Sequence, residues 1–334
     1  IEHFSGEKLP PLANNPETRA TVDRLTGKAI ERMLDATRGS TFGPLEDREF
    51  TDPDGFVLHE SAFAKTCWIE RRPFDSVAGA AEWLKKWTAR FVEETKKVEA
   101  NPRERRDGHE RWFRDVQARI GDTVHLYTQM GVGLDDIRHR LGFELFAYRD
   151  AEQPGLISDA LEAYTRLQVA TAHAIANLEF SPAVLTYGDI AGKERLLHSP
   201  AWLRGEFFPR LQRLNDAWHE HGFLCLFHSD GYLMDVMDDL VATGIDGLNP
   251  IETVAGMSLK ECREKYPTLF LAGGIDMSQL LSNGTPDEVR EVCRQAIRDA
   301  YPGLLMGSTT ESDNSCKAEN LVAMYEVAME GIPR

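Results

Sequence analysis

Five short apolar runs in the second half of the chain each end in polar residues or glycine. These runs cover residues 183–186, 223–227, 245–248, 269–272 and 304–306. Most of them precede a stretch of about 15 residues with the spacing of an amphipathic helix. Strands that alternate with helices are typical of a parallel sheet built from βαβ units. Because the runs are apolar throughout, rather than at every second position, the pattern also predicts strands that are covered on both faces.

The predicted helices have recognisable first residues. Thr285-Pro286-Asp287-Glu288 combines a capping hydroxyl, a proline at the first helical position and a glutamate three residues after the cap. Ser199-Pro200 opens a second helix, and a third is expected over residues 156–179. These starts are typical of helices that connect successive parallel strands.

The first 120 residues show a less regular pattern. Pro53-Asp54-Gly55 is a turn signal between two short apolar stretches and predicts a β-hairpin. An amphipathic helix follows, in which Trp83, Trp87 and Phe91 form one stripe. We predict that this stripe belongs to the core and does not bind a ligand.

A (β/α)₈ TIM barrel with an irregular N-terminal extension is the predicted α/β fold. Such barrels take about 250 residues, and the 334-residue chain has no linker long enough to separate two domains. We expect a single domain over 1–334, with the extension and the first part of the barrel in 1–120 and the remaining barrel in 121–334. An open doubly wound sheet is the alternative. Its dinucleotide-binding version needs a GxGxxG turn, and "GVGLDD" at 131–136 lacks the third glycine.

Polar side chains stand just beyond the apolar runs, where a parallel barrel brings its strand ends to one face. Each of them is explained equally well as a cap of the following helix, a role worth about 1 kcal/mol. Four successive strands that end in a carboxylate or an imidazole would need four independent caps, so the pattern favours a shared polar pocket. The residues concerned are Tyr187, Asp189, His228, Asp230, Asn249, Glu252, Asp276, Ser308 and Glu311.

Charge and cysteine usage exclude some classes of partner. A net charge of −16 disfavours nucleic acid, which requires a basic surface. No apolar run approaches the roughly 18 residues of a membrane span, and no signal segment is recognised. Five scattered cysteines without a CxxC pair indicate a reducing, cytoplasmic location. Among the cysteines, Cys225 is interpreted as a small buried hydrophobe. His219 is interpreted as a residue that suits the end of a helix.

Six motifs have a characteristic order and spacing: "GDIAGKERLLHSP", "LCLFHSDG", "GIDGLNPIE", "LFLAGGID", "LLSNGTPDEV" and "GSTTESDNSCKAENLVAMYE". Together they resemble the uroporphyrinogen decarboxylase superfamily, and the resemblance covers Gly121–Gly331. Members are (β/α)₈ barrels. One branch decarboxylates porphyrinogens without a metal, and the other contains methyltransferases that serve corrinoid proteins or thiols, commonly with zinc. The decarboxylases carry an arginine- and glycine-rich N-terminal segment that has no match here, which favours the methyltransferase branch.

The resemblance implies a metal site after the strand that reads "LCLFHSDG". The zinc methyltransferases have His-x-Cys there and a further Cys near the last strand. His228 matches the first ligand, and Asp230 stands in place of the Cys. Imidazole nitrogen and carboxylate oxygen both bind zinc, so we expect zinc or another divalent ion in a harder, less selective site. The predicted ligands are His228, Asp230, Glu252 and either Glu311 or Cys316 or both.

The other strand-end residues are assigned to the reaction and to the substrate. Asp189 and Tyr187 are expected to donate a proton or to orient a ligand, with Asp276 as a further catalytic group. Substrate binding is assigned to Asn249, Ser308 and Gln129.

The leading hypothesis is a metal-dependent methyltransferase or demethylase. It would move a methyl group between a small methoxy or thiol substrate and a thiol or a corrinoid on a partner protein, and a homodimer is expected as for many enzymes. One alternative is a metal-free decarboxylase for a porphyrinogen or another carboxylated substrate. That activity requires at least two cavity arginines from the set Arg71, Arg72, Arg138 and Arg140. The other alternative is a non-catalytic protein that binds a corrinoid or tetrapyrrole.

Overall fold

The computed structural model describes residue 8 and residues 47–61, 66–120, 126–309 and 315–330. In this part of the chain, the strands are β1 Arg48–Thr51, β2 Val57–Ser61, β3 Thr66–Arg71, β4 Tyr127–Met130, β5 Ala183–Tyr187, β6 Leu224–His228, β7 Gly247–Ile251, β8 Phe270–Ile275 and β9 Leu304–Ser308. The α-helices are α1 Val77–Ala100, α2 Pro102–Ile120, α3 Leu134–Leu141, α4 Phe143–Glu152, α5 Pro154–Ile175, α6 Pro200–Trp202, α7 Phe208–His219, α8 Met237–Ala242, α9 Leu259–Lys265, α10 Pro286–Ala300 and α11 Ala318–Met329.

The residues group into two compact units. The first comprises Ile1–Thr128 and Gly133–Pro182, and the second comprises Gln129–Val132 and Ala183–Arg334. The single domain expected over 1–334 stays a prediction. Among the described helices, none has the length and apolar character needed to cross a membrane.

The first unit contains the hairpin that the turn signal predicts. Strands β1 and β2 pair antiparallel, and β3 pairs antiparallel with β2. The carboxylate of Asp52 closes the turn, because its Oδ1 atom accepts the backbone N–H groups of Asp54 and Phe56 at 2.9 Å each. A carboxylate that binds backbone amides in this way is a common turn stabiliser.

The aromatic stripe of α1 reaches the core at Trp87, whereas Trp83 and Phe91 are half-buried beside it. The ring of Trp87 lies 5.6 Å from that of Trp83 and 4.3 Å from that of Phe91. Tyr164 from α5 joins the cluster, with its ring 4.9 Å from Phe91. Trp87 is only 4% exposed, so these rings bury a large apolar area where α1 and α5 meet.

The second unit is built on a six-stranded parallel sheet in the order β4-β5-β6-β7-β8-β9. Every apolar run of the sequence forms one of these strands, and helices separate them along the chain, so the predicted α/β class is confirmed. The described residues do not show eight strands closed into a barrel. Residues 66–120 contribute an antiparallel strand and helices rather than further parallel strands, because that part of the sequence has no continuous apolar run.

The predicted helix starts are also present. Thr285 and Glu288 form a reciprocal capping box at α10, in which each side chain binds the other residue's backbone N–H. Ser199 caps α6, with its Oγ atom accepting the N–H of Trp202 at 3.2 Å. A π-helical turn, Leu203–Phe207, continues α6 into α7.

A half-buried carboxyl in the first unit makes the stability of the fold depend on pH. Asp136 on α3 accepts a hydrogen bond from the Tyr164 hydroxyl at 3.0 Å. Burial raises the pKa of the Asp136 carboxyl above 3.8, although the Tyr164 hydrogen bond and the charge of Arg140 oppose the shift. The folded state therefore retains this proton to higher pH than the unfolded chain does.

We predict that Asp136→Asn removes a pH-dependent loss of stability. The stabilising effect of the proton is complete below the unfolded-state pKa and is lost as the pH rises through the raised folded-state pKa. The free energy of unfolding of the variant, relative to wild type, should therefore increase from about pH 4 towards neutrality. Urea unfolding at several pH values measures it. Asp159→Asn, which changes an exposed carboxyl on α5, is the control; an equal change in both variants would contradict the prediction.

Candidate functional site

Three neighbouring strands of the second unit present their last residues in one row. In the parallel register, Tyr187 on β5 is the partner of His228 on β6, and His228 is the partner of Asn249 on β7. Residues in register on parallel strands direct their side chains to the same face. The row therefore brings together three of the predicted site residues at the carboxyl ends of the strands.

The imidazole of His228 is oriented by Asn249. Its Nδ1 atom lies 2.7 Å from Oδ1 of Asn249. An amide oxygen only accepts hydrogen bonds, so Nδ1 carries the proton and donates it. In the neutral imidazole, Nε2 is then the unprotonated nitrogen, with a lone pair available for a proton or a cation.

Two carboxylates face this lone pair. Nε2 of His228 lies 3.9 Å from Oδ1 of Asp189 and 4.0 Å from Oδ1 of Asp230. One ligand atom from each of the three residues lies within 4.8 Å of the other two. The imidazole is 16% exposed, whereas the Asp189 and Asp230 side chains are 42% and 37% exposed. The imidazole side of the cluster is therefore enclosed by protein, whereas the carboxylate side is accessible to solvent.

Backbone contacts fix the loops that carry the carboxylates. The N–H of Asp230 donates to Oδ1 of Asp189 at 3.1 Å. Ser229 is fully buried, and its Oγ atom accepts the N–H of Ile190 at 3.1 Å. This hydroxyl therefore joins the loop after β5 to the loop after β6.

Gly231 allows the chain to turn directly after Asp230. Its φ is +95°, and a Cβ atom at this position would lie 2.6 Å from the carbonyl oxygen of Gly192. Only glycine fits both the conformation and the space. The N–H of Gly231 donates to Oε2 of Glu252 at 2.6 Å. Glu252 thus supports the loop after β6 and is not among the three clustered ligand atoms.

Two other predicted residues lie at the ends of the last strands. Asp276 follows β8, and its carboxylate accepts the backbone N–H groups of Ser278, Gln279 and Leu280 at 2.8–3.2 Å. This contact is the helix cap that the sequence left as an alternative to a catalytic role. Ser308 is the last residue of β9 and is in register with Ile275.

The remaining predicted residues lie elsewhere or are not described. Gln129 is buried, and its Oε1 atom accepts the indole N–H of Trp218 at 2.7 Å, which is a core contact. Sγ of Cys316 lies 4.0 Å from Oγ of Ser282, and Cys316 is not a member of the cluster. Glu311 lies outside the described residues, so its assignment as a ligand stays a prediction.

The three side chains offer a set of donors that could hold a cation. One ligand atom from each lies within 4.8 Å of the other two. The negative charge of the two carboxylates would attract a divalent ion placed between them. One nitrogen and two oxygen donors with an open side also match catalytic metal sites, which keep a position for water or substrate.

Comparison with known proteins supports the fold. A methyltransferase from Methanosarcina mazei has a similar structure, with a TM-score of 0.54 and 18% sequence identity over 66% of this chain. The aligned region spans 62% of the methyltransferase chain. No family profile matches this chain. A search of curated proteins gives no match either. At this identity the likeness shows a common fold, and membership of the uroporphyrinogen decarboxylase superfamily stays a prediction.

Sequence patterns do not reveal the roles of Asn249, Ser229 and Gly231. The polar residues at the strand ends indicate which segments of the chain carry the candidate site, and the glycine after Asp230 is a turn signal. The register between β6 and β7, however, decides that Asn249 contacts His228, and its assignment to substrate binding stays a prediction.

We predict that Asn249→Ala changes the tautomer of His228. Without the amide oxygen, the imidazole loses the partner that holds its proton on Nδ1, so the Nε2–H form should become populated. Asn249→Asp keeps an oxygen acceptor and should retain the Nδ1–H form. The ¹⁵N chemical shifts of the labelled histidine ring at a pH where it is neutral distinguish these states. A wild-type ring protonated on Nε2 would contradict the prediction.

Proposed function

We propose that this protein is a metal-dependent methyltransferase of the uroporphyrinogen decarboxylase superfamily. It would transfer a methyl group between a small methoxy or thiol substrate and a thiol or a corrinoid on a partner protein. The observation that carries the proposal is the cluster of His228, Asp189 and Asp230, in which Asn249 leaves Nε2 free to bind a cation. A fold shared with a methyltransferase makes this chemistry the most economical one for the cluster.

The donor set fits a divalent metal. His228 and Asp230 are the ligands expected from the sequence, and the geometry adds Asp189 to them. With no thiolate in the set, the site suits zinc or a harder divalent ion. When bound, such an ion would withdraw electron density from a substrate oxygen or hold a substrate thiol as thiolate.

The side chains of the protein would place the substrate and supply the proton. In transfer from a methoxy group, the nucleophile's lone pair forms the new bond to the methyl carbon. The C–O bonding pair passes to the oxygen, which then needs a proton. The ring of Tyr187 lies 5.2 Å from that of His228, so its hydroxyl is our candidate for that donor. The open side of the two carboxylates is where substrate would enter.

Three of the four arginines named for the decarboxylase alternative have protein partners. Arg138 pairs with Asp135, and the Arg140 guanidinium lies 3.1 Å from Asp52. Arg72 donates to the carbonyl oxygen of Arg140 at 2.8 Å. Because these contacts use the guanidinium groups for the structure of the first unit, we favour methyl transfer over the decarboxylation of a carboxylated substrate.

Closure of the parallel sheet belongs to the same proposal. We propose that the six described parallel strands are part of a (β/α)₈ barrel, as the superfamily resemblance implies. The sequential order of the parallel strands β5–β9 supports a barrel, but an open sheet can have the same local order. The proposed chemistry depends on the ends of β5, β6 and β7 rather than on closure.

We predict that His228→Ala removes one equivalent of divalent metal and the methyl-transfer activity. Protein purified without chelator is analysed for bound metals. Activity is measured with cob(I)alamin and a methoxybenzene donor, and with methylcobalamin and 2-mercaptoethanol, from the change in corrinoid absorption. The rate should fall by roughly 100-fold or more, since loss of a metal ligand exceeds the effect of losing a supporting hydrogen bond.

His173→Ala, which removes an exposed histidine from the last turn of α5, is the matched control and should keep both metal and activity. Wild-type protein that transfers methyl groups without bound metal would end the proposed mechanism. If the protein binds metal but turns over neither pair of probes, the proposed classes of methyl donor and acceptor are wrong.

A further inference from the structure

A second group of metal-binding side chains lies at the opposite end of β6. His219 is the last residue of α7, Cys225 is the second residue of β6, and Asp246 immediately precedes β7. A ring nitrogen, a thiol sulfur and a carboxylate oxygen from these residues lie within 4.8 Å of one another. Cys225 and His228 are three residues apart on an extended strand, or about 10 Å. The two groups are therefore separate sites.

The position of each ligand atom is fixed by a neighbouring contact. Nε2 of His219 lies 2.9 Å from Oδ2 of Asp246. The same oxygen accepts the backbone N–H of Cys225 at 2.7 Å, which draws the carboxylate to the start of β6. Cys225 is fully buried, with its Sγ atom 3.6 Å from the carbonyl oxygen of Asn215. The imidazole and the carboxylate are about one-third exposed, so an ion can enter from that side.

The surroundings of the thiol are negative. The carboxylates of Asp246 and Asp216 are the charged groups that act on it. Both would attract a cation. Oδ1 of Asn215 adds a buried acceptor that lacks a hydrogen-bond partner among the described residues. Asn215 precedes His219 by one helical turn and so lies on the same face of α7.

We propose that His219, Cys225 and Asp246 form a second metal site, for zinc or a similar divalent ion, that holds α7 against the starts of β6 and β7. Nitrogen, sulfur and oxygen donors together suit zinc and cobalt better than magnesium or calcium. On binding, the Cys225 thiol releases its proton to solvent, and Nε2 of His219 exchanges its contact with Asp246 for the ion. This site does not depend on the proposed methyl-transfer activity.

Cobalt distinguishes the two sites, because the donor set of the second includes sulfur. Metal-free protein is titrated with Co²⁺, and thiolate-to-cobalt charge-transfer absorption is recorded in the near ultraviolet. Wild-type protein should develop this band, and His228→Ala should develop it equally. Cys225→Ser should abolish it while Cys316→Ser retains it. Absence of the band from wild type, or its loss in Cys316→Ser, would overturn the proposal.

A second variant, at the surface residue His219, covers the case in which Cys225→Ser does not fold. His219→Gln changes a surface side chain, and it should weaken Co²⁺ binding at this site about tenfold or more. Zinc should raise the thermal unfolding midpoint of His228→Ala, whose second site is intact, because an ion that binds only the folded state stabilises it. It should raise that of the double variant His219→Gln/His228→Ala much less. An equal rise in both would refute a site at His219.

Discussion

The parallel hydrogen bonding at the carboxyl ends of β5, β6 and β7 is the constraint on which the candidate site depends. The N–H of Gly188 donates to the carbonyl of His228, and the N–H of Ser229 donates to the carbonyl of Asn249, both at 3.0 Å. Each bond contributes only about 1 kcal/mol to stability. Together they fix the register in which Tyr187, His228 and Asn249 form one row. A slip of one residue would direct the imidazole to the other face of the sheet and separate it from both Asn249 and the carboxylates.

The electrostatics of the site follow from that row. Because the amide of Asn249 engages one imidazole nitrogen, the other nitrogen must face Asp189 and Asp230. Both carboxylates lie within about 4 Å of Nε2, and their negative charge would attract a cation to this side of the ring. An acidic protein with a net charge of −16 adds to this potential rather than relieving it. The arrangement thus suits the cation that we propose for this site.

The sequence predicts the backbone of the second unit better than the use of its polar side chains. Continuous apolar runs identify the strands because a strand buried on both faces can be recognised from its own residues alone. The cap at Thr285 is likewise a local pattern. Asp276 shows the limit: a carboxylate after a strand suits a cap and a catalytic group equally, and only the three backbone amides around it favour the cap. Asn249 and Ser229 bind residues 21 and 39 positions away, so their partners depend on strand register. No local pattern contains that information.

The two ends of β6 carry donor sets of different character, and the difference indicates different roles. At the carboxyl end, the carboxylates are exposed and the donors are nitrogen and oxygen, which would leave room for a substrate beside the proposed ion. At the amino end, Cys225 is completely buried and its sulfur is enclosed by α7, which leaves little room for a substrate. Open sites of the first kind suit catalysis, and closed sites that include sulfur suit structure. Because β6 has only five residues, an ion bound near its first residues would also restrict the strand register that holds His228 in place.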